Sequence, residues 1–436
     1  MKIILDRKRK LHTEKERKIF MIKELEEAKA ILKKYNQSHL LNQFDNLEED
    51  KKEKILNDIF NIDFELVDSL YRNANKDTNN EKDEITPMEY LDKYKLHEDY
   101  KLYEDLGKKA IKEGKLAAVT MAGGQGTRLG FNGPKGEYDI GLDSHKSLFE
   151  LLCDNLKEGE KIYGVKIPWF IMTSEENNKE TVRFFEKHKF FGYQKDKNIF
   201  FFNQGKLPMV DTEGKILLNE EGMIKQAANG HGGIYEALVK NDMVKKMKEL
   251  GIEWVFIGGV DNCLAKMVDS LFVGVAIDKD VTVACKSVVK ANPHEKVGVF
   301  CKRNGKPSVI EYSEITDEMA EARDKDGELL YGESNLLCNL FNIEAIERMG
   351  SLPLPYHIAY KKAKYIDKDG NLVVPDSPNA YKFESFLFDS FGTLDEMVVL
   401  RVKREEEFAP VKNADTAKVD CPKTARKLYE TYHKLK

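Results

Sequence analysis

A glycine-rich loop carrying two basic residues follows a strongly apolar stretch of the chain. The run Leu116–Met121 is followed by AGGQGTRLGFNGPKG, which spans residues 122–136 and contains Arg128 and Lys135. A short continuous apolar run is typical of a parallel strand that is covered on both faces, and open α/β sheets bind ligands in the loops that follow such strands. Glycines let backbone N–H groups approach phosphate oxygens, and the two cations neutralise their charge. The pattern therefore indicates a site for a polyphosphate ligand.

The spacing of this loop differs from that of the two commonest phosphate-binding loops. A dinucleotide-binding G-x-G-x-x-G starting at Gly124 would need a third glycine where the chain has Leu129. A Walker loop would need a glycine before its lysine, but Lys135 follows Pro134. A simple tight turn is the remaining alternative, and the attached TRLG and PKG segments favour phosphate binding over it.

A carboxylate stands at the end of a second predicted strand. Asp261 follows the apolar run WVFIGGV at residues 254–260. A carboxylate at the carboxyl end of a strand in an open sheet is well placed to hold Mg²⁺ or Mn²⁺ between phosphates. The same position also suits a helix N-cap. Position alone leaves both interpretations open.

The composition predicts a cytoplasmic protein that acts on small molecules. Its 436 residues are 33% charged with a net charge of −5, which argues against a nucleic-acid binder that relies on bulk charge. The six cysteines contain no C-x-x-C pair, so we expect reduced thiols and no zinc site. We expect no signal peptide, because the apolar start MKIIL ends at DRKRK, and no membrane span, because no apolar stretch approaches roughly 18 residues. The basic segment at 7–10 is interpreted as a solvated helix face, and no protein partner is implied.

Alternating strand and helix patterns predict an α/β fold. Strands are predicted at 116–121, 169–173, 198–203, 254–260 and 281–287, and helices at 147–156 and 176–189. The first of these helices begins with a Ser147 and Glu150 capping box. We predict a Rossmann-like, doubly wound and mainly parallel sheet. The sheet domain would span 106–350, between a helical N-terminal region at 1–105 and a smaller C-terminal α+β region at 351–436.

Turn residues predict the main connections. A D-x-G turn and an N-G turn predict hairpins within 209–218 and 297–314. The polar stretch at 74–84 is predicted to be a surface loop or linker.

The glycine loop is the first of several segments that resemble a known enzyme family. AGGQGTRLG with GPKGEYDIGL is similar to the signature of the eukaryotic-type UTP:sugar-1-phosphate uridylyltransferases, and most similar to the members that use N-acetylglucosamine 1-phosphate. The further matching segments, in the family's order, are PWFIMTS, FFNQGKLP, NGHGGIYEAL, VDNCLAK, NPHEKVGVFCK, VIEYSEI, SPNAYKFESFLFD and FAPVKNADT. They extend over nearly all of residues 100–420. The resemblance implies the nucleotide-diphospho-sugar transferase type of sheet, with 106–350 as the catalytic domain.

The resemblance implies nucleotidyl transfer from UTP to a hexose 1-phosphate, with a UDP-sugar and pyrophosphate as products. Two anions must meet, and charge must be stabilised on the leaving group. Arg128 and Lys135 are expected to hold the phosphates, and the KNAD segment near the C-terminus adds Lys412 as a third catalytic cation. The resemblance favours the metal role of Asp261 and implies Asp415 as a second ligand of Mg²⁺ or Mn²⁺.

The resemblance also implies the remaining substrate contacts. The residues expected to contact uridine are Gly123, Gly124, Gln204 and Gly230. The Gln204 amide can pair with the donor and acceptor edge of uracil. The residues expected to contact the sugar are His231, Asn262, Gly298, Glu311, Asn335, Phe386 and Phe388. Without the resemblance, the two phenylalanines would be interpreted as one face of a strand.

One segment departs from the N-acetylglucosamine pattern. The chain has NGHGG at 229–233, where those members commonly have DGNGG, and the G-H-G triplet is similar to members that use glucose 1-phosphate. The resemblance implies use of N-acetylglucosamine 1-phosphate, with UDP-glucose or broad UDP-sugar synthesis as the nearest alternative. A non-catalytic nucleotide-sugar sensor would not need the complete set of charged residues. The loop spacing disfavours a dehydrogenase.

Overall fold

The computed structural model describes residues 14–74 and 83–435. The basic segment at 7–10 and most of the polar segment at 74–84 lie outside these residues. The strands, numbered β1 to β18, are Ile85–Pro87, Leu91–Asp92, Leu116–Met121, Trp169–Thr173, Ile199–Asn203, Lys206–Pro208, Val210–Asp211, Gln226–Ala228, Trp254–Gly259, Val283–Val289, Val299–Arg303, Lys306–Ile310, Glu333–Asn342, His357–Lys361, Tyr365–Ile366, Leu372–Val373, Ala380–Glu384 and Val398–Arg401. The α-helices, numbered α1 to α13, are Glu14–Lys34, Glu49–Asn61, Phe64–Ala74, Asp99–Lys112, Leu148–Tyr163, Asn178–Lys187, Ile234–Lys240, Met243–Glu249, Ser270–Asp278, Asp317–Glu321, Ile343–Met349, Arg404–Glu407 and Pro422–Leu435.

Packing divides the chain into two units whose segments alternate along the sequence. The larger unit comprises Asn80–Gly205, His231–Leu354 and Phe386–Lys436. The smaller unit comprises Met1–Asn79, Lys206–Gly230 and Pro355–Ser385. This division differs from the three consecutive regions predicted from the sequence, because two later segments pack with the N-terminal helices.

A mixed, mainly parallel sheet forms the centre of the larger unit. Its strands follow the order β2-β18-β10-β13-β9-β3-β4-β5. The pairs on either side of β13 are antiparallel, and the other pairs along this path are parallel. The strands β1, β11 and β12 join through β11, which pairs with β13. The predicted α/β class with a mainly parallel sheet is confirmed.

Both faces of this sheet are buried, which explains the continuous apolar character of β3. Leu116 and Ala118 belong to one core, together with Leu152 of α5, while Val119 belongs to another core, together with Leu238 of α7. Successive side chains of a strand point to opposite faces, so a strand covered by helices on both sides needs apolar residues at every position.

The smaller unit combines α1 to α3 with short strands. Its larger sheet has the order β14-β17-β7. Val210 and Phe383 of these strands share a core with Leu32 and Ile55 of the helices. The buried Gln37 amide joins helix and strand regions, since its Nε2 donates to the Gly214 carbonyl at 2.7 Å and its Oε1 accepts from the Ile216 N–H at 2.9 Å.

Several predicted elements match the structure closely. The predicted strands at 116–121 and 169–173 coincide with β3 and β4. The Ser147 and Glu150 capping box begins α5 as expected. The N-G turn joins β11 to β12, with φ of 51° and 78° at its two central residues. Within 14–74 and 83–435, no helix has the length and apolarity needed to cross a membrane.

Candidate active site

The glycine loop and Asp261 leave the sheet side by side. Strands β3 and β9 are parallel neighbours, with Met121 opposite Gly259. The loop that begins after Met121 and the carboxylate two positions after Gly259 therefore emerge at the same edge. This edge, at the carboxyl ends of the strands, is where open α/β sheets bind ligands.

Backbone hydrogen bonds fold the glycine loop back on itself. The Gly126 N–H donates to the Gly133 carbonyl at 2.9 Å, and the Lys135 N–H donates to the Gly124 carbonyl at 3.1 Å. These bonds bring Lys135 beside the first glycines of the loop. The cation predicted from sequence is thus positioned at the strand end.

Two of the glycines lie in close contact with neighbouring side chains. A β-carbon on Gly123 would lie 2.6 Å from Oε1 of Gln204, so the Gln204 amide lies directly against this glycine. A β-carbon on Gly136 would lie 2.2 Å from the ring of Phe149. The structure therefore brings together Gly123 and Gln204, two of the residues expected to contact uridine.

Asn177 holds the glycine loop from behind and was missed by sequence reasoning. This side chain is fully buried. Its Nδ2 donates to the carbonyls of Ala122 at 2.9 Å and Gly124 at 3.3 Å, and its Oδ1 accepts from the Ser174 N–H at 2.9 Å. An asparagine between a strand and a helix is too common to be singled out without the fold.

The Asp261 carboxylate experiences the charges of two lysines. Lys135 Nζ is 3.4 Å from Asp261 Oδ2, and both side chains are largely buried. Burial alone would raise the pKa of Asp261, but the charges of Lys135 and Lys412 outweigh it and hold the pKa below its ordinary value. The structure thus assembles three of the predicted charged residues, and it keeps the carboxylate ionised.

Lys412 reaches this cluster through the C-terminal segment, which we define as residues 407–412. The Val411 N–H donates to the Asp261 carbonyl at 2.9 Å, and the Cys263 N–H donates to the Ala409 carbonyl at 3.1 Å. The segment therefore pairs with the residues that follow β9. The Lys412 side chain is exposed, so its place near Asp261 depends on this backbone pairing.

The other two predicted phosphate or metal residues have different surroundings. Arg128 is exposed in a short 3₁₀ turn, Thr127–Leu129, within the glycine loop. Asp415 is also exposed, and its Oδ1 accepts from the Lys423 N–H in the first turn of α13 at 2.8 Å. The Asp415 carboxylate therefore caps a helix in this structure.

The donor set around Asp261 fits a cation bound mainly by phosphate oxygens. Among the residues the structure describes, no group of three or more His, Cys, Asp or Glu side chains is arranged to hold a metal ion. Mg²⁺ needs no such group, because it commonly combines one or two carboxylates with substrate phosphates and water. The ionised Asp261 at the strand end meets this requirement.

Three residues expected to contact the sugar lie together beside β13. The Asn335 N–H donates to the Gly298 carbonyl at 2.8 Å. A β-carbon on Gly298 would lie 3.0 Å from Oε1 of Glu311. The glycine therefore allows the carboxylate to approach the backbone closely.

His231, Phe386 and Phe388 form an aromatic cluster. The His231 ring stacks on Phe386 with centroids 5.4 Å apart and meets Phe388 edge-on at 6.0 Å. His231 Nδ1 accepts a hydrogen bond from the Leu387 N–H at 3.0 Å, so its Nε2 carries the proton when the ring is neutral. A β-carbon on the neighbouring Gly232 would lie 2.6 Å from the Phe386 carbonyl oxygen. The G-H-G triplet thus fits tightly against these phenylalanines.

Asn262 and Gly230 contact the backbone of other segments closely. The buried Asn262 donates from Nδ2 to the Glu407 carbonyl at 2.8 Å and accepts at Oδ1 from the Ala409 N–H at 2.9 Å. Its amide therefore holds the C-terminal segment instead of facing a ligand. Gly230, in the smaller unit, has φ of +86°, and a β-carbon there would lie 2.2 Å from the Ser385 carbonyl oxygen.

Comparison with known proteins gives one family and a consistent set of relatives. The family model described as UTP–glucose-1-phosphate uridylyltransferase matches residues 63–422. The UDP-N-acetylglucosamine pyrophosphorylase of Saccharomyces cerevisiae is 40% identical over 387 residues, covering 86% of this chain and 80% of the yeast protein. The human UDP-N-acetylhexosamine pyrophosphorylase-like protein 1 is 39% identical over 340 residues, covering 76% of this chain and 67% of the human protein. The crystal structure of the uridine diphosphate N-acetylglucosamine pyrophosphorylase of Trypanosoma brucei in complex with an inhibitor superimposes with a TM-score of 0.79 at 32% identity, covering 96% of this chain and 85% of the other.

Proposed function

The chain belongs to the UTP–glucose-1-phosphate uridylyltransferase family, and we propose that it forms UDP-N-acetylglucosamine and pyrophosphate from UTP and N-acetylglucosamine 1-phosphate. The observation that carries this proposal is the approach of Lys135 and Lys412 to Asp261 at the edge where the glycine loop leaves the sheet. Relatives named for this product align over most of the chain.

The charged residues match what the reaction requires. An oxygen of the sugar phosphate forms a bond to the α-phosphorus of UTP, and the bond between the α-phosphorus and the bridging oxygen breaks as pyrophosphate leaves with the electron pair. Lys135 and Lys412 stabilise the charge that develops on the phosphates. Arg128, exposed on the same loop, binds the outer phosphates through its planar guanidinium.

Asp261 is the residue that would hold Mg²⁺. The ion, when bound, supplies positive charge that neutralises phosphate oxygens. Asp261 also orients Lys135, because its carboxylate accepts from that ammonium group. Asp415, which the resemblance implies as a second ligand, would use carboxylate lone pairs that the Lys423 N–H does not occupy.

The remaining residues bind the two organic groups. Gln204, held against Gly123, presents an amide that can pair with uracil. Glu311 and Asn335 offer acceptors for sugar hydroxyl groups, and Phe386 with Phe388 forms an apolar wall for the N-acetyl group. The described cysteines are buried free thiols, which supports a location in the reducing cytoplasm.

Pyrophosphate release with UTP and a panel of sugar 1-phosphates tests the proposal. We expect N-acetylglucosamine 1-phosphate to give the highest kcat/KM, with glucose 1-phosphate as the competing candidate because of His231. Lys135→Ala should lower kcat by roughly a hundredfold, which corresponds to about 3 kcal/mol of lost transition-state stabilisation. A folded native protein that binds UTP but releases no pyrophosphate with any sugar 1-phosphate would instead indicate a nucleotide-sugar sensor.

A further inference from the structure

The C-terminal segment begins in a buried ion cluster. Glu407 is 1% exposed; its Oε1 accepts from Lys93 Nζ at 3.0 Å, and its Oε2 accepts from Lys286 Nζ at 2.5 Å. Lys286 is fully buried and also donates to Asp269 Oδ2 at 2.6 Å. Lys266 Nζ lies 3.6 Å from Glu407 Oε1. Glu407 is therefore surrounded by ammonium groups that come from three separate parts of the larger unit.

Each member of the central pair is held in its charged form by its partner. Burial alone would raise the pKa of Glu407, but Lys286, Lys93 and Lys266 together hold it below its ordinary value. Burial alone would lower the pKa of Lys286, yet Asp269 and Glu407 raise it. Moving Glu407 would leave buried charges uncompensated, so its position is strongly fixed.

The same residue is tied to the catalytic strand end through its backbone. The Glu407 carbonyl accepts from Asn262 Nδ2, and Asn262 Oδ1 accepts from the Ala409 N–H. Two residues further on, the Val411 N–H donates to the Asp261 carbonyl. Lys412 comes next, with an exposed side chain; its N–H donates to the Asp420 carbonyl at 2.7 Å, and its Nζ lies 5.7 Å from the centroid of the Phe408 ring, within the same segment.

A buried ion pair by itself is weak evidence of a functional role, because such pairs often only specify structure. The distinguishing observation here is continuity: the segment fixed at Glu407 is the one that pairs with Asp261 and ends at Lys412. A comparable buried pair in the same sheet, Arg401 with Glu333, joins β18 to β13 instead.

We propose that Glu407 is a positioning residue that, together with Asn262, sets the distance between Lys412 and Asp261. The inference rests on the proposed function for its catalytic consequence. Neutralising Glu407 releases the start of the C-terminal segment from the lysines around it, and Lys412 then samples positions away from the phosphates. The effect on the reaction passes entirely through Lys412.

A double-mutant cycle on the full chain tests whether Glu407 acts through Lys412. It uses the variants Glu407→Gln, Lys412→Ala and the double variant. Two quantities are measured for each protein: kcat for pyrophosphate release with UTP and N-acetylglucosamine 1-phosphate, and the dissociation constant of UTP from calorimetry. We expect Glu407→Gln to lower kcat by about tenfold or more when Lys412 is present, and by less than about twofold in the Lys412→Ala background. UTP affinity should show the same dependence on Lys412.

Glu333→Gln is the matched control, since Glu333 is 3% exposed and also pairs with a buried cation. It should lower the melting temperature and leave kcat unchanged. Equal losses from Glu407→Gln in both backgrounds, or no loss in either, would overturn the inference. If Glu407→Gln does not fold, Asn262→Ala takes its place in the cycle under the same criteria. A native protein without turnover but with a UTP affinity that shows the coupling would refute the proposed function and retain the inference.

Discussion

At the scale of single residues, the proposed site depends on the Asp261 carboxylate and its contact with Lys135. The Lys135 Nζ to Asp261 Oδ2 distance of 3.4 Å is long for a hydrogen bond between charged groups. A contact of this length orients the ammonium group but holds it weakly. In the proposed function, Lys135 would turn toward phosphate oxygens when UTP binds, and Asp261 would then be available to a cation.

Glu137, two residues after Lys135, has a raised pKa, whereas the pKa of Asp261 is lowered. Burial, reinforced by the nearby Glu180, raises its pKa to about 7, while Lys187 opposes the shift. Among the described residues, its buried Oε1 has no hydrogen-bond partner. The side chain is thus neutral in mildly acidic solution and charged in alkaline solution.

We predict that Glu137→Gln stabilises the protein at pH 8 and has little effect at pH 4.5. Below its ordinary pKa near 4.5 the carboxyl group is protonated in both folded and unfolded states. As the pH rises toward 7, only the unfolded state releases the proton, so the native protein loses about 1–3 kcal/mol of stability that the glutamine variant retains. Urea midpoints at the two pH values measure this difference, and an equal change at both would contradict the prediction.

His231 leads to a second prediction at this scale. Its ring stacks on Phe386 and its Nδ1 accepts from the Leu387 N–H, so it supports the proposed N-acetyl wall. Because members that use N-acetylglucosamine 1-phosphate commonly have asparagine at this position, we expect His231→Asn to shift the ratio of the two kcat/KM values toward N-acetylglucosamine 1-phosphate by about tenfold, equivalent to about 1.4 kcal/mol. The measurement is kcat/KM for both sugars in the native protein and in the variant. An unchanged ratio between the two sugars would show that His231 does not act on sugar choice.

At the scale of elements, apolar continuity made the central strands predictable. β3 and β4 contact apolar cores on both faces, and a run buried on both faces leaves a clear signal in the sequence. The long antiparallel strand β13 was not predicted, because it carries polar residues such as Asn335 and Asn339. Its pattern resembles a loop until its neighbours in the sheet are known.

The hydrogen bonds from Asn177 give a prediction about how the elements support the loop. Asn177→Ala removes the donors for the Ala122 and Gly124 carbonyls, and we expect a loss of about 1–3 kcal/mol in stability. The loosened loop should also raise KM for UTP by about tenfold, which corresponds to about 1.4 kcal/mol.

Asn339→Ala provides the matched control for this experiment. Asn339 is also fully buried, and its Nδ2 donates to the Ile257 carbonyl within the sheet. Its replacement should lower stability without changing KM for UTP. If both variants raise KM equally, the effect of Asn177 reflects general destabilisation instead of loop support.

At the scale of the whole molecule, the division into units could not be predicted from the chain order. Segments 206–230 and 355–385 belong to the smaller unit although they interrupt the sequence of the larger one. Their apolar residues, such as Val210 and Phe383, find partners on helices far away in sequence. Local patterns identify the elements, but not which distant face each one covers.

The buried ion cluster was equally hidden, since lysines and glutamates in a sequence with 33% charged residues are interpreted as surface groups. Lys286 lies within the apolar strand β10, and its burial follows from the position of that strand between β13 and β18. The sequence singles out the proposed phosphate-binding residues because the glycines and cations of the loop are contiguous. The ion cluster that positions Lys412 could not, because it joins residues from four places in the chain.

Because of this cluster, we expect the stability of the larger unit to fall at acidic pH. Burial would raise the pKa of Asp269, but Lys286 and Lys93 hold it well below its ordinary value, and the pKa of Glu407 is lowered in the same way. Carboxylates with a lowered pKa contribute stability above their unfolded pKa values, near 4 to 4.5, and the contribution is lost as the pH falls through the folded values. We therefore predict a steep loss of stability below about pH 4.

The variant Asp269→Asn tests the contribution of this cluster to stability apart from that of other carboxylates. Asp269 is also the N-cap of α9, accepting from the Phe272 N–H, and asparagine is an equally good N-cap. The variant therefore loses mainly the ion pair with Lys286, and we expect it to be about 3–5 kcal/mol less stable than the native protein at pH 7. Below its ordinary pKa near 4, the unfolded native sequence binds a proton at Asp269 while the folded protein does not, so the difference from the asparagine variant should shrink steadily below pH 4. Urea unfolding followed by tryptophan fluorescence reports on the relevant part of the molecule, since both tryptophans, Trp169 and Trp254, lie in its central sheet. A difference between the two proteins that stays constant from pH 7 to pH 3 would show that the Asp269 carboxylate does not stabilise the sheet through its charge.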